Sequence, residues 1–309
     1  MAPVDMLTEF YSFGEILWDC LPSGRHPGGA PFNVTAHLVQ LGASASLLSA
    51  IGNDPLGEEI LQVAKNKGVN VEFVSRHATL PTGTVLVSVD QKGNATYEIV
   101  KPVAWDEIEV PPEAATAVGT ARGFIFGSLS CRSPRNIGIV RDLLSLPGPL
   151  KFFDVNLRPP YVDPGTILKL ARQADVLKLN HEEVGKLAAY IRTGDLTCPP
   201  SMDTDAVAEA ASILAEATDT TRICVTRAEE GAALWDNGDL ITSPAPHVEV
   251  KDTVGAGDSF MAGLMIGLTG VADVQRVLEN ACRVGAFVAS QNGATPVFPP
   301  EIVQLFQEA

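Results

Sequence analysis

The sequence predicts an α/β fold in which a mostly parallel sheet is covered by helices on both faces. From about residue 120 onward, short apolar segments typical of buried strands alternate with longer segments of helical periodicity. Apolar residues make up 46% of the 309 residues and charged residues 19%, as in globular proteins. Because parallel strands need crossover connections, this alternation places helical layers on the two faces of one sheet.

The first seventy residues contain signals for two strands and two helices. The expected elements are strands at 9–18 and 46–51, with helices at 31–41 and between Asp54 and Gly68. The first strand is expected to end near Asp19. Asp54 and Pro55 are typical of a helix cap and a first turn, while Gly42 and Gly68 are typical of helix ends.

The regular alternation follows in the second half of the chain. Strands are expected at 123–127, 151–155, 175–179 and 222–226, and helices at 133–145, 163–173, 181–190 and 203–217. Each strand is a short apolar run, and each helix has apolar residues at three- and four-residue spacing.

One segment departs from the alternation. Residues 83–100 predict two strands joined by a turn at Asp90–Asn94, which is a hairpin signal. Together with the stretch around 14–33, the hairpin is expected to form a small sheet beside the main body. From the residues alone, a lid over a substrate cleft and an inserted structural hairpin are both open.

Composition limits the class of partner. The net charge of −15 argues against nucleic acid or an anionic membrane as the partner. The five cysteines are scattered without a Cys-x-x-Cys pair, which suits a reducing compartment. We see no signal peptide and no apolar run of ~18 residues, so a cytoplasmic protein without a membrane span is expected.

A glycine-rich stretch near the end of the chain carries the strongest chemical signal. Gly255, Ala256 and Gly257 are followed directly by Asp258 and by a long apolar run of helical spacing. Small residues allow a close backbone approach, and a helix N-terminus binds anions. A carboxylate there suits a base that takes a hydroxyl proton while N–H groups hold a transferring phosphoryl group. A plain turn with an Asp helix cap is the alternative.

A second glycine-rich stretch, residues 27–33, leads into the helix at 31–41. It lacks the Gly-Lys-Ser/Thr of a Walker A loop and the spacing of a dinucleotide fingerprint. Its glycines and Asn33 are suited to a polyol, because an amide both donates and accepts hydrogen bonds. Taken alone, this stretch is better explained as a turn followed by a helix cap.

The two stretches together, in this order, resemble the paired signatures of the ribokinase-like (PfkB) family of carbohydrate kinases. Four further segments are similar to the family: Gly14–Asp19, Asp154–Pro159, Asn180–Glu183 and Thr226–Gly231. The resemblance runs from about residue 10 to about 298. It implies a ribokinase-like fold, a single kinase domain over 1–309, and a small β lid formed by about 14–33 and 82–104.

The resemblance implies a role for each motif. Asp258 would deprotonate the attacking sugar hydroxyl, and the N–H groups of Gly255, Ala256 and Gly257 would form an anion hole for the γ-phosphoryl group. The residues implied to bind the sugar are Asp19, Gly29, Asn33 and Arg158. Arg158 alone is also explained as a surface ion pair.

The resemblance also implies ATP and Mg²⁺ as cofactors. Asn180 and Glu183 would act through waters around Mg²⁺, and the alternative for this pair is a helix cap with a solvated acid in the first turn. The residues implied to bind the nucleotide are Thr226, Arg227, Gly231 and Asn280, with Cys282 as the alternative to Asn280. Ala228 departs from the family, which has a glycine there, and alanine is strained at positive φ.

Asp252, the carbonyl of Val254 and the backbone near Gly293 match the family's monovalent-cation site, which some members fill with K⁺. Small-molecule sugar and ATP are therefore the expected partners. The exposed edge of a lid sheet also suggests a homodimer through the lid.

Three features favour fructose as the acceptor: the segment 28–31, the segment 14–19, and the segment 102–106 around Trp105, each similar to bacterial fructokinases. A kinase for 2-keto-3-deoxygluconate or ribose is the nearer alternative, with Arg158 or Arg132 as the clamp for a sugar acid's carboxylate. A non-catalytic sugar- or nucleotide-binding protein on the same fold is the more distant one.

Overall fold

The computed structural model describes residues 9–22, 24–89, 95–161, 163–197, 201–270 and 273–307. Its large sheet contains nine strands in the order β13-β12-β11-β10-β9-β8-β1-β4-β5. These strands are β1 (Phe10–Phe13), β4 (Ala45–Gly52), β5 (Val74–His77), β8 (Gly123–Gly127), β9 (Leu150–Asp154), β10 (Val176–Asn180), β11 (Arg222–Thr226), β12 (Ala232–Asp236) and β13 (Asp239–Ser243). Pairing is parallel from β11 to β5 and antiparallel at β12 and β13.

The described helices are α1 (Ala30–Gln40), α2 (Pro55–Asn66), α3 (Pro112–Val118), α4 (Pro134–Leu144), α5 (Pro164–Ala171), α6 (His181–Thr193), α7 (Thr204–Thr218), α8 (Ala256–Thr269), α9 (Val274–Ala289) and α10 (Pro300–Gln304). The four strands and four helices expected in the second half are all confirmed, with shifts of at most three residues at their ends. In the first part of the chain, α1, α2 and β4 are confirmed as well.

Both faces of the large sheet are buried, as the strand alternation requires. In β8, Phe124 and Phe126 belong to the cluster that contains residues of α3 to α7, whereas Ile125 belongs to the cluster formed with α1, α8 and α9. Helices therefore cover both faces, which confirms the predicted mostly parallel α/β arrangement.

The single strand expected at 9–18 is wrong, because two strands occupy this region. β1 ends at Phe13, and β2 (Leu17–Leu21) belongs to a different sheet. Between them Gly14 has φ of 146°, and a β-carbon there would lie 2.6 Å from Pro31 Cγ. The backbone turns at this glycine, where other residues are strained and would meet α1.

The second sheet contains four strands in the order β3-β2-β6-β7, namely β2, β3 (Gly24–Gly28), β6 (Gly83–Val89) and β7 (Ala95–Ile99). The antiparallel pairing of β6 with β7 confirms the predicted hairpin, whose turn at 90–94 lies outside the described residues. Within the described part of the chain, no helix has the length and apolar character needed to cross a bilayer.

Candidate active site

Polar side chains collect at the carboxyl ends of neighbouring parallel strands. Asp154 is the last residue of β9, Asn180 the last of β10 and Thr226 the last of β11. In open parallel sheets, ligands bind in the crevice outside this edge. The sheet therefore places three of the segments singled out in the sequence side by side.

The two glycine-rich motifs meet at a hydrogen bond between their side chains. Asn33 in α1 donates its Nδ2 hydrogen to Asp258 Oδ2 at 2.8 Å, across 225 positions of sequence. Asn33 is buried, and its Oδ1 has no partner among the described residues. The Asn33 amide thus keeps its Oδ1 as a free acceptor beside Asp258, the carboxylate that was assigned as the base.

Asp258 lies in the first turn of α8 and is half-buried. Burial raises its pKa to about 6, and the negative charge of Asp154 adds to the rise. Lys178 and the hydrogen bond from Asn33 oppose it. A carboxylate with this pKa is a stronger proton acceptor than an ordinary aspartate and is still ionised at neutral pH.

The turn before Asp258 requires glycine at its first position. Gly255 has φ of 79°, and a β-carbon there would collide with the carbonyl oxygen of Ala294. The first N–H groups of α8 have no partner within the helix and form a site for anions. The N–H of Ala256 also donates to the Thr253 carbonyl at 3.3 Å. This N–H group would therefore have two acceptors when an anion is bound.

A buried ion pair that sequence reasoning missed lies directly beside this turn. Lys178 in β10 is 7% exposed, and its Nζ donates to both carboxylate oxygens of Asp154 at 3.0 Å. A β-carbon at Gly257 would lie 3.1 Å from the same Nζ. Burial opposes this charge, but the carboxylates of Asp154 and Asp258 hold the pKa of Lys178 above its ordinary value. The signal was a lysine in an otherwise apolar strand.

Glu15 was also missed as an individual site residue, although its segment was quoted. It is buried, and its Oε2 has no partner among the described residues. Burial raises its pKa to about 7, against the lowering effect of backbone N–H groups and Arg158. The signal was a carboxylate placed between two apolar runs at the Gly14 turn.

The residues assigned to the sugar end lie around Glu15. Gly29 packs so closely that a β-carbon would strike the carbonyl oxygen of Glu15. Burial raises the pKa of Asp19, while His26 and Arg158 lower it. Arg158 is exposed and also lowers the pKa values of Glu15 and Asp258. Three carboxyl groups thus share the field of this guanidinium.

Arg132, the other candidate clamp for a ligand carboxylate, is buried and already paired with a carboxylate of this chain. Its side chain is 1% exposed and binds Asp106 through Nε at 2.7 Å and Nη2 at 2.9 Å. The guanidinium also lies 4.0 Å from the ring centroid of Trp105 and 4.7 Å from that of Tyr161.

Asn180 and Glu183 form a reciprocal cap at the start of α6. Each side chain accepts the backbone N–H of the other at 2.9 Å, and Glu183 Oε1 also accepts the N–H of Leu157 at 2.7 Å. The helix cap is therefore present, but a solvated acid is wrong, because Glu183 is buried and burial raises its pKa. The described residues contain no cluster of three acidic, His or Cys side chains arranged around a metal ion. The oxygens of Asn180 and Glu183 fit a Mg²⁺ ion that keeps its waters and phosphate ligands.

The turn after β11 contains most of the residues assigned to the nucleotide. Thr226 Oγ1 donates to the Leu179 carbonyl at 3.4 Å, and Arg227 pairs with Glu230. Ala228 has φ of 49°, so the chain keeps the left-handed conformation although alanine has replaced glycine. Gly231 ends the turn against the Ser243 carbonyl.

Asn280 and Asp252 have defined partners. The Nδ2 of Asn280 in α9 donates to the Leu305 carbonyl at 3.1 Å, so this hydrogen bond holds the C-terminal segment.

Asp252 Oδ1 accepts the N–H of Val254 at 3.0 Å, and its Oδ2 accepts the N–H of Gly293 at 3.1 Å. The structure thus brings together the two segments, 252–254 and the backbone at Gly293, that were expected around a monovalent cation.

Comparisons with known proteins agree with this geometry. A family model described as pfkB family carbohydrate kinase matches residues 9–301. Fructokinase from Escherichia coli is 27% identical over 312 residues, covering 95% of this chain and 97% of that protein.

Two solved structures show the same fold. Ribokinase of Arabidopsis thaliana, complexed with ribose and ATP, has a TM-score of 0.80 at 19% identity and covers 98% of this chain and 99% of that one. A double mutant of fructokinase from Vibrio cholerae, with fructose, ADP and potassium ion bound, has a TM-score of 0.75 at 21% identity and the same coverage. The ribokinase-like fold is thus confirmed. Since the family model spans nearly the whole chain, the protein belongs to the pfkB family of carbohydrate kinases.

Proposed function

We propose that this carbohydrate kinase transfers the γ-phosphoryl group of ATP to a primary hydroxyl of D-fructose, giving ADP and D-fructose 6-phosphate. The observation that carries the proposal is the hydrogen bond between Asn33 and Asp258, which joins the sugar motif to the base. Asn33 keeps a free Oδ1 for the sugar, and Asp258 is the base for its hydroxyl.

Proton transfer and phosphoryl transfer both take place at the start of α8. The hydroxyl oxygen attacks the γ-phosphorus in line, its proton passes to Asp258, and the bond to the bridging oxygen of ADP breaks. The N–H groups of Gly255, Ala256 and Gly257 receive the charge on the transferred group. The ammonium group of Lys178, next to Gly257, adds a fixed positive potential.

The cofactor roles follow the same placement. Mg²⁺ would neutralise the ATP phosphates, held through waters by Asn180 and Glu183. K⁺ would bind Asp252 and the Val254 carbonyl, as a potassium ion is present in the Vibrio cholerae structure. Thr226, Arg227 and Gly231 would contact the nucleotide, and Asn280 would border the adenine.

The charges around the acceptor end favour a neutral sugar. Glu15, Asp19 and Asp258 are carboxyl groups, and Arg158 is the exposed cation whose field they share. The Arg132 side chain is only 1% exposed and is already paired with Asp106. A sugar acid such as 2-keto-3-deoxygluconate would add another negative charge, whereas fructose and ribose would not.

The small sheet is proposed as the lid. β2 carries Asp19, and closure over the acceptor would exclude water, so that ATP is transferred rather than hydrolysed. Leu86 in β6 is 46% exposed and offers an apolar surface for a second copy of the chain. Size-exclusion chromatography of wild type and Leu86→Lys tests this dimer, because the charge would separate the copies.

The deciding experiment measures ADP release with Mg-ATP, with and without K⁺, for fructose, ribose, 2-keto-3-deoxygluconate, adenosine and no acceptor. Fructose is expected to give the highest kcat/KM. Asp258→Asn is expected to lower kcat by at least about a hundredfold while sugar and ATP still bind, because only the proton acceptor is lost.

Glu301→Gln, an exposed acid changed in the same way, is the control for Asp258→Asn. Near-wild-type turnover by Asp258→Asn would contradict the base assignment. Stronger turnover of another acceptor would keep the mechanism and replace fructose. ATP and sugar binding without any acceptor-dependent turnover would favour a non-catalytic binding protein.

A further inference from the structure

One face of α1 presents three polar side chains at helical spacing to the phosphoryl-transfer end of the site. Asn33 contacts Asp258, as described above. One turn later, His37 Nε2 lies 3.0 Å from the carbonyl oxygen of Ala294, and Gln40 Oε1 accepts the N–H of Phe298 at 3.1 Å. Positions i, i+4 and i+7 of a helix share a face. The same face of α1 therefore contacts both the base and the segment 293–298, here called the 293–298 loop.

The 293–298 loop lies directly behind the anion-hole turn. The carbonyl oxygen of Ala294 occupies the space that a β-carbon at Gly255 would need. The N–H of Gly293 donates to Asp252, which precedes the same turn. A displacement of this loop would consequently displace Gly255 or remove its backing.

His37 is built as a neutral donor to this loop. It is fully buried, and its ring stacks on Phe298 with centroids 5.2 Å apart and an interplanar angle of 18°. Burial lowers its pKa to about 4, so the ring is uncharged at neutral pH. Because a carbonyl only accepts, Nε2 carries the hydrogen, and Nδ1 is left without a partner among the described residues.

A second group holds the same loop from the other side. Lys67, directly after α2, donates from Nζ to the Thr295 carbonyl at 3.1 Å. Two consecutive carbonyl groups of the loop are thus fixed, one by a donor in α1 and one by a donor directly after α2. An imidazole with one polar contact and one unpaired nitrogen is costly in a core, where an apolar side chain would pack without that cost.

We propose that His37 is a positioning residue that holds the 293–298 loop against the Gly255 turn, so that sugar binding at α1 is coupled to phosphate binding at the start of α8. This inference rests on the proposed function, since it concerns the sugar and nucleotide of the same site. The coupling runs from α1 through His37 and Ala294 to Gly255.

The test compares His37→Gln, His37→Asn and His37→Leu. The amide nitrogen of glutamine reaches about as far as Nε2 and restores the donor, whereas that of asparagine reaches only as far as Nδ1. For each protein, kcat, the sugar KM and the melting temperature are measured. The dissociation constant of adenylyl imidodiphosphate, an ATP analogue that keeps the γ-phosphoryl group and is not hydrolysed, is measured with and without D-fructose, or with whichever acceptor the activity panel identifies.

His37→Asn and His37→Leu are expected to lower kcat by about tenfold with a smaller change in sugar KM, because the anion-hole turn is misplaced. They are also expected to weaken the effect of sugar on the affinity for this ATP analogue, which is the coupling itself. His37→Gln is expected to stay within about threefold of wild type in kcat and in the effect of sugar on nucleotide affinity. A purely structural histidine would change the melting temperature alone, and that outcome overturns the proposal.

Lys67→Met is the second variant if the asparagine and leucine variants do not fold. It removes a half-buried donor just beyond a helix end and frees the Thr295 carbonyl, with an expected loss in kcat of about threefold. A folded Lys67→Met protein with unchanged kcat and coupling would overturn the proposal.

If wild type phosphorylates no acceptor, the proposed function has failed, and the affinity for the ATP analogue still decides the positioning role. His37→Asn, or Lys67→Met if the former does not fold, is expected to bind the analogue more weakly than wild type. An equal affinity overturns the role.

Discussion

Two buried ion pairs, Lys178–Asp154 and Arg132–Asp106, have similar geometry and opposite surroundings. Both cations are nearly inaccessible and donate to both oxygens of their carboxylates. Lys178 also lies in the field of Asp258 and Glu183, next to Gly257. Arg132 is instead covered by two aromatic rings. A buried ion pair is thus not evidence for function by itself. The two pairs differ in the groups that lie near the cation besides its own carboxylate partner.

The Arg132–Asp106 pair holds the segment beneath the small sheet. Arg132 Nη2 donates to the Val100 carbonyl at 2.7 Å, and Asp106 Oδ2 accepts the N–H of Val103 at 3.0 Å. These contacts connect the end of the hairpin to the body, where Trp105 is fully buried. The pair therefore has a role in stability.

The largest expected effect is on stability, from Arg132→Met. Removing one partner leaves Asp106 buried and unpaired, which costs about 3–5 kcal/mol of unfolding free energy. The kcat per folded molecule is expected to change by less than about threefold, because the charge of Arg132 does not reach the reacting atoms. Urea unfolding and active-site-normalised turnover measure the two quantities. A loss of kcat as large as that of Lys178→Met would abolish the distinction between the pairs.

Lys178→Met is expected to lower kcat by about a hundredfold, because the fixed positive charge beside the anion hole is lost. Its pH dependence has a definite sign. Asp258, the proposed base, has a pKa of about 6 and must be ionised to act, so wild-type kcat is expected to fall as the pH drops through about 6. Lys178 lowers that pKa, and its removal therefore moves the acid limb upward.

The pH profile of kcat for Lys178→Met and for Arg132→Met, as the matched loss of a buried cation, checks this sign. An acid limb that shifts equally in both proteins would show that loss of stability, and not the local charge, causes it.

The smallest expected effect is on the unfolding free energy, from a substitution at Ala228. This residue lies outside both ion pairs, so its substitution measures the effect of a local change in the backbone alone. Ala228→Gly removes the strain of an alanine in the left-handed conformation but increases the conformational entropy of the unfolded chain. Because the first effect is the larger, we expect a gain of about 0.5 kcal/mol in unfolding free energy. Ala208→Gly, inside α7, is the control and should destabilise by about 1 kcal/mol. Denaturant midpoints separate the two signs. A destabilised Ala228→Gly protein would mean that the alanine is not strained.

The sequence predicted the fold better than the site, and particular residues show why. Strands β8 and β11 were placed to the residue, because glycine and polar residues interrupt short apolar runs at their ends. The break at Gly14 was missed, because neighbouring strands of two sheets have the same alternation. Lys178 and Glu15 were not assigned, since a charged residue inside an apolar run shows its partner only when distant strands come together.

In the candidate site, family resemblance assigned roles to both motifs, and the structure shows that their side chains are in contact. The individual hydrogen bonds could be read only from the structure. Which atom of Asn33 meets Asp258 depends on how α1 packs beside α8. The pairing of Arg132 depends likewise on a contact 26 positions away in sequence, which periodicity does not reveal.

The 225 positions between Asn33 and Asp258 have a consequence for biosynthesis. At the usual pace of translation, about 5–20 residues per second, the second half of the site leaves the ribosome roughly ten to forty-five seconds after the first. On the proposed assignment, a nascent chain that has already formed β1, α1 and β4 has neither the base nor the anion hole. Such a chain is expected to consume no ATP until nearly the whole polypeptide has been made.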